Sequence, residues 1–281
     1  MSSLLRSLRR DFYGPHDPPP ALEVSHLSKV YPGRRGAEDR LAVVDSSFTI
    51  RHGDSLGIVG ESGSGKTTVA KMLLGLELPT SGQITIDGSL TTRRLNRDRL
   101  RRARQIQLVF QDPYSSLDPR QSVGDSLDEI LRLHFDLGAL GRRERIEELL
   151  TMVGFDPDAA TLRPRRLSGG MRQRVAIAKA LASEPSVVVL DEAVAALDIS
   201  IQAQILNLLN RLRRETEIAF IFISHDLAVV AHISDQVQVM RNGLVVEEGK
   251  TADVLTSPKH PYTRALLGSV PRRGWKPSHS V

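Results

Sequence analysis

Four short, largely apolar runs punctuate the chain. They are Ser55-Leu56-Gly57-Ile58-Val59, the stretch from Gln105 to Phe110, Val187-Val188-Val189-Leu190, and Ala219-Phe220-Ile221-Phe222-Ile223. The unbroken run Val187–Leu190 predicts a strand covered on both faces of a parallel sheet, and the other three are strand candidates. Between them apolar residues return at helical spacing. Val69, Met72, Leu73 and Leu76 form one such face; Val175, Ala178, Leu181 and Ala182 a second; Ile201, Ile205, Leu208, Leu209 and Leu212 a third, predicting a helix over 201–213. From about 122 to 165 the chain is helical in tone, marked by Ile130, Leu131, Ile146, Leu149, Leu150 and Val153. The N-terminal part reads differently. Leu22-Glu23-Val24, Leu27 to Tyr31 and Leu41 to Ile50 are strand-like, and the charged, glycine-bearing Gly33–Arg40 segment suits an exposed turn of an antiparallel sheet. Near the other end, Gln236–Met240 and Leu244–Glu247 flank Arg241-Asn242-Gly243, a hairpin signal.

One polar segment interrupts this pattern with chemistry of its own. Gly60-Glu61-Ser62-Gly63-Ser64-Gly65-Lys66-Thr67-Thr68 follows a strand and opens a helix, as a phosphate-binding loop must. Gly63 and Gly65 lack a Cβ, so the backbone can wrap closely and aim its N–H groups at an anion. The helix beginning near Lys66 adds its positive end, the Lys66 ammonium reaches the outer phosphates, and Thr67 offers a hydroxyl to Mg²⁺.

The other predicted core strands also deliver polar groups at their carboxyl ends: Gln111, Asp191 with Glu192, and His225. Ligands of open α/β sheets bind outside those ends, so one pocket can collect all of them. Asp191 closes a wholly apolar strand, where an unpaired charge would be costly and a divalent cation would relieve it. Glu192 beside it can orient and deprotonate a water. Tyr31, before Pro32-Gly33, either stacks on a purine or covers a sheet edge; both readings suit its position.

Composition narrows the class. With 281 residues and 40% hydrophobic content, one large domain or a core with a smaller subdomain is expected. No apolar run approaches the ~20 residues that span a bilayer. Cysteine is absent, which excludes disulfides, cysteine-ligated zinc and iron–sulfur clusters. The formal charge of +5 is compatible with nucleic acid, anionic headgroups or a solvated surface, and acidic residues are interspersed almost throughout. Residues 1–20 read as a disordered extension ending in the stiff Pro18-Pro19-Pro20 linker, or as a weak amphipathic contact with a membrane surface.

Tyr31, Gly60–Thr68, Gln111, Leu167–Arg174, Asp191-Glu192, Ala195-Ala196-Leu197-Asp198 and His225 stand in the order and spacing of ATP-binding-cassette (ABC) transporter ATPases, which the chain resembles over about residues 21–270. Phe110 to Arg120 and the tail His260-Pro261-Tyr262-Thr263-Arg264-Ala265-Leu266-Leu267 are similar to the oligopeptide/dipeptide importer group. The resemblance implies an α/β phosphate-loop ATPase with a parallel-sheet core, an N-terminal antiparallel β subdomain and an α-helical signature subdomain. It divides the chain into an extension (1–20), a cassette (21–255, helical part about 112–180) and a tail (256–281).

The resemblance also implies roles. ATP would be held by Tyr31 on the adenine and by Gly60, Ser62, Gly63, Ser64, Gly65, Lys66, Thr67 and Thr68 on the phosphates, with Mg²⁺ at Thr67, Gln111 and Asp191. Glu192, His225 and Gln111 form the implied catalytic set, with Glu192 as base. Ser168, Gly169 and Gly170 would grip the γ-phosphate on a facing cassette, and Asp198 would communicate across that interface. The implied partners are a second cassette (a heterodimer being usual in this group), two permease subunits and, indirectly, an extracellular binding protein, at the cytoplasmic face of the membrane, with no specific nucleic acid. The region near Gln111 would receive a short permease helix. Alternatives are a soluble cassette ATPase acting on nucleic acid or the ribosome, and an exporter ATPase. Met171 replaces the common signature glutamine. Ala193-Val194-Ala195 replaces the frequent Pro-Thr-Ser, at the expense of an interprotomer hydrogen bond of order 1 kcal/mol.

Overall fold

The computed structural model describes residues 18–33, 38–91, 96–110, 117–195 and 197–268. The strands in its first half are β1 (Leu22–Tyr31), β2 (Arg40–Ile50), β3 (Ser55–Val59), β4 (Ser81–Ile86), β5 (Ser89–Leu90) and β6 (Ile106–Val109). Those in its second half are β7 (Val187–Asp191), β8 (Ala219–Ser224), β9 (Gln236–Arg241) and β10 (Leu244–Lys250). Helices α1 (Lys66–Leu73) and α2 (Asn96–Gln105) precede β6; α3 (Val123–His134), α4 (Ala139–Met152) and α5 (Gly169–Ala182) precede β7. Four more follow: α6 (Ile199–Thr216), α7 (Leu227–Ile233), α8 (Thr251–Thr256) and α9 (Pro261–Gly268).

The strands line up as β5-β4-β1-β2-β10-β9-β3-β8-β7-β6. From β9 to β6 neighbours run parallel, and every residue of β3 and β8 is buried, as is β7 up to Leu190. Two-sided burial is why these strands carry no alternation. At the other end β1 pairs antiparallel with β2 and β4, and β5 with β4. The halves meet at one ladder contact, Leu244 on β10 against Val44 on β2. The β9–β10 hairpin turns at Asn242 and Gly243 with φ of 49° and 83°, the left-handed pair that an Asn-Gly turn supplies without strain.

The described residues correct several expectations. Leu22–Val24 and Leu27–Tyr31 are one strand, not two; His26 sits at φ 51° and the register shifts between Val24 and Leu27, so a bulge interrupts the alternation. Leu76 is not on the packing face of α1. That helix ends at Leu73, Gly75 (φ 73°) turns the chain away, and Leu76 is 62% exposed. Gln105 closes α2 rather than opening β6. α6 outruns the predicted 201–213 at both ends and stops where Glu217 turns left-handed.

A second feature is the helical layer. α3 begins with a capping box: Ser122 Oγ accepts from Asp125 N, and Asp125 accepts from Ser122 N, both at 3.1 Å. Leu127 of α3, Leu149 and Leu150 of α4 and Val175 to Ala182 of α5 join one core with Leu190, Phe220 and the buried face of α6. A second core joins Leu22 and Leu27 of β1 and Ile58 of β3 with Val69, Met72 and Leu73 of α1.

Candidate active site

β3, β7 and β8 end level with one another: Val59 pairs with Ser224, and Asp191 with Ile223. The residues that follow them, Gly60, Glu192 and His225, therefore leave the sheet at one edge. Gln111 lies outside the described residues, although β6 ends beside β7, with Val109 opposite Leu190.

The loop after β3 depends on glycine in two ways. Gly60 (φ 152°) and Gly65 (φ 109°) are hemmed in: a Cβ at Gly60 would stand 2.1 Å from the Met240 carbonyl oxygen, and one at Gly65 would stand 2.4 Å from that of Ala42. At Gly63 a Cβ would meet nothing within 4 Å, so close approach is not the reason for glycine there; its φ of 82° is. The turn of the hairpin supports the loop as well, Gly243 N donating to Ser64 O at 2.9 Å. Ser62 and Thr67 are exposed, Ser64 is buried and Thr68 half-buried. α1 starts at Lys66 after Gly65 with no side-chain cap, so its first N–H groups remain available to an anion.

Lys66 folds back over this loop. Its Nζ donates to Gly60 O at 2.7 Å, Glu61 O at 2.8 Å and Ser64 Oγ at 3.3 Å. Burial pulls its pKa below the usual lysine range, against the opposing pull of Glu192, Asp191 and Glu61. Asp191 is displaced the other way: burial and the neighbouring Glu192 charge raise its pKa, and Lys66 and Lys71 offset this only in part.

Glu192 holds an unusual backbone for a non-glycine residue, φ 50°, pinned by a 2.9 Å hydrogen bond from its N–H to Ile223 O. Its Oε1 lies 3.0 Å from His225 Nδ1, and His225 is exposed. A cavity of about 110 Å³ opens beside the pair, lined among others by Ala193, Ala195, Gln202 and Phe222.

Two predicted groups stand apart from this centre. Tyr31 pairs with Arg40 across β1 and β2, two residues from Ala42, whose carbonyl packs on Gly65. The Lys29 ammonium sits 4.8 Å from the Tyr31 ring centroid. Ser168 is the exposed N-cap of α5 and accepts from Met171 N at 3.3 Å. Among the described residues no hydrogen bond joins Ser168, Gly169 or Gly170 to the phosphate loop. Gly170 is needed where α5 crosses α6, since a Cβ would come within 2.6 Å of Ile201 Cγ2.

The donor set suits Mg²⁺ that arrives with a phosphate ligand. Among the described residues no group of three or more His, Asp and Glu side chains could hold a metal by itself. Asp191 instead offers a single carboxylate whose charge is poorly compensated by its surroundings, and the exposed Thr67 hydroxyl follows Lys66 in the loop. Mg²⁺ commonly takes one or two protein oxygens and completes its shell with phosphates and water.

Sheet, loop and acid–histidine pair define a phosphate-loop ATPase of the cassette type, and residues 43–195 match the ABC transporter family model; the chain belongs to that family. Residues 246–278 match a second model, described as the oligopeptide/dipeptide transporter C-terminal region. Relatives include the oligopeptide transport ATP-binding protein OppF of Lactococcus lactis subsp. lactis, 42% identical over 89% of this chain and 80% of its own length. The dipeptide transport ATP-binding protein DppF of Escherichia coli is 42% identical over 90% of this chain and 77% of its own. The glutathione import ATP-binding protein GsiA of Pectobacterium atrosepticum is 48% identical over 90% of this chain, which spans only 41% of that protein. Among solved structures, cbiO1 from Clostridium perfringens, part of the ABC transporter complex cbiONQ, superposes with a TM-score of 0.76 at 28% identity, over 85% of this chain and 92% of that one. The dimeric cassette MJ0796 bound to ADP and Pi gives 0.70 at 29% identity, over 82% and 98%.

Proposed function

We propose that this chain is the ATP-hydrolysing subunit of an importer for oligopeptides, dipeptides or similar small solutes, working with separate permease subunits. The observation that carries the catalytic part is the Glu192–His225 pair, 3.0 Å apart at the sheet edge that also delivers Lys66 and Asp191. The substrate class is carried by the kinship with OppF, DppF and GsiA and by the matched C-terminal region. No helix among the described residues is long and apolar enough to cross a membrane.

In this reading Tyr31 stacks the adenine, and the backbone of Gly60 to Gly65 with Ser62, Ser64, Lys66, Thr67 and Thr68 holds the phosphates. Thr67, Asp191 and Gln111 would hold Mg²⁺, which when bound neutralises charge on the phosphoryl oxygens. Glu192 orients a water and accepts its proton; His225 keeps that carboxylate aimed and contacts the γ-phosphate. Ser168, Gly169 and Gly170 of a facing cassette close over the same nucleotide with a helix N-terminus. Two cassettes, a heterodimer by preference, thus meet head to tail at the cytoplasmic face of the membrane, and their closure moves two permeases fed by an external binding protein. Residues 21–255 act as the cassette, about 112–180 as its signature arm, and 256–281 as the tail.

Reconstitution tests this. The chain, its partner cassette and the permeases in lipid vesicles are expected to take up labelled peptides only with ATP, and to stop with Glu192→Gln. ATP hydrolysis without uptake of any di- or oligopeptide would overturn the substrate class. Peptide uptake that survives Glu192→Gln together with the matching acid-to-amide change in the partner cassette would overturn the site.

A further inference from the structure

We infer that the C-terminal tail positions the phosphate loop, and that the hydroxyl of Tyr262 is the contact through which it does so. Tyr262 lies in α9 with only 6% of its surface exposed. Its ring packs in a small core with Val59, Leu227 and Val230, and Val59 is the residue that leads into Gly60. The Arg241 guanidinium lies 4.9 Å from the ring centroid. From this seat the hydroxyl accepts a 3.0 Å hydrogen bond from Glu61 N, 201 residues away in sequence.

The bonded amide explains the importance of this contact. Glu61 N–H and Gly60 C=O belong to one planar peptide unit, which cannot turn one end without the other. Lys66 Nζ holds the oxygen end at 2.7 Å, and Tyr262 holds the nitrogen end. The tail therefore sets the direction of the Gly60 carbonyl and with it the resting seat of the Lys66 ammonium. The tail's own position is fixed in turn. The Glu247 carboxylate on β10 accepts from Lys259 N at 2.7 Å and His260 N at 3.0 Å, and Tyr262 N donates to His260 Nδ1 at 3.2 Å. The His-Pro-Tyr segment is thereby pinned to the same hairpin whose turn supports Ser64. Tyr262 is a positioning residue, and its effect on nucleotide binding rests on reading Gly60–Thr68 as the triphosphate cradle.

The test compares the full native chain with Tyr262→Phe, which keeps the ring and removes the oxygen, and with Lys66→Ala. Binding is read with a fluorescent ATP analogue, turnover by phosphate release, and the Glu61 amide by hydrogen exchange. For Tyr262→Phe, loss of one hydrogen bond to the loop is expected to raise the nucleotide Kd and KM about 3- to 10-fold, with kcat within about twofold. The Glu61 amide is expected to exchange faster by a similar factor. A purely structural role would lower the melting midpoint and leave KM where it was, and that result overturns the proposal. Unchanged affinity in Tyr262→Phe beside lost binding in Lys66→Ala overturns the positioning role alone. Full binding by both variants overturns the cradle reading and the proposal with it. Should Tyr262→Phe fail to fold, the native chain still decides: a protected Glu61 amide in the absence of nucleotide supports the contact, and an unprotected one overturns it.

Discussion

Glu192 Oε1 and His225 Nδ1 lie 3.0 Å apart, yet they sit 33 residues apart in sequence and leave neighbouring parallel strands. Two side chains so placed hold each other at the strand ends. Glu192→Gln keeps the size and a polar contact but cannot take a proton. ATP turnover is expected to fall by about 10²-fold or more with nucleotide affinity retained. His225→Ala, which leaves the carboxylate unsupported, is expected to lose at least about tenfold. Steady-state phosphate release alongside equilibrium binding checks both.

Asp191 gives a pH-dependent prediction. Its folded pKa is raised by burial and by Glu192, so the folded protein holds that proton more tightly than the unfolded chain does. The stabilisation it contributes is full below the ordinary aspartate pKa and is lost as pH rises through the folded value. At neutral pH its charge therefore opposes folding. Asp191→Asn is expected to raise the melting midpoint of the nucleotide-free protein by a few degrees at pH 7, and the gap should close near pH 4. The same variant should lose most of the stabilisation that Mg²⁺ and nucleotide together confer. A scan of midpoint against pH, with and without Mg·ATP, reads both effects.

Gly60 and Gly63 should separate under substitution. Gly60→Ala places a methyl 2.1 Å from the Met240 carbonyl oxygen in backbone that cannot yield cheaply, so the loop must reshape and nucleotide affinity should fall more than tenfold. Gly63→Ala meets nothing and pays only for φ 82°, about 1–2 kcal/mol. Its melting midpoint should drop by several degrees while binding falls by a smaller factor.

Ser168→Arg tests the facing-cassette contact. The variant loses an N-cap worth about 1 kcal/mol, and it puts a long cation where a phosphate is expected from the partner. In a Glu192→Gln background, ATP should still bind, and ATP-dependent dimers should disappear by light scattering.

What the chain reveals by itself follows from how local each cause is. β3, β7 and β8 are legible because burial on both faces demands unbroken apolar residues, and the Asn242-Gly243 turn because few residues accept its φ values. β4, β5 and α2 are not legible. In β4 only Ile84 and Ile86 face the core, and its place is decided by pairing with β1, far upstream. α2 carries Leu100 as its one large apolar residue, and that is 54% exposed. It is tied down by Arg102, which donates to the carbonyls of Met72 and Leu73 at the end of α1. The site divides the same way. Residue types at the strand ends show in the sequence; the left-handed backbone of Glu192, the folded-back Lys66 and the bond from Glu61 to Tyr262 arise only from tertiary placement.

The β9–β10 turn has a practical consequence for anyone modifying this protein. Tight Asn-Gly reversals are the customary sites for grafting epitopes or fluorophores, because they usually protrude into water. Here Gly243 donates to Ser64 O and accepts from Val44 N at 2.8 Å, wedged between the phosphate loop and β2. A tag inserted at that bend would pry the cradle away from the antiparallel strands, so labels belong elsewhere on the surface.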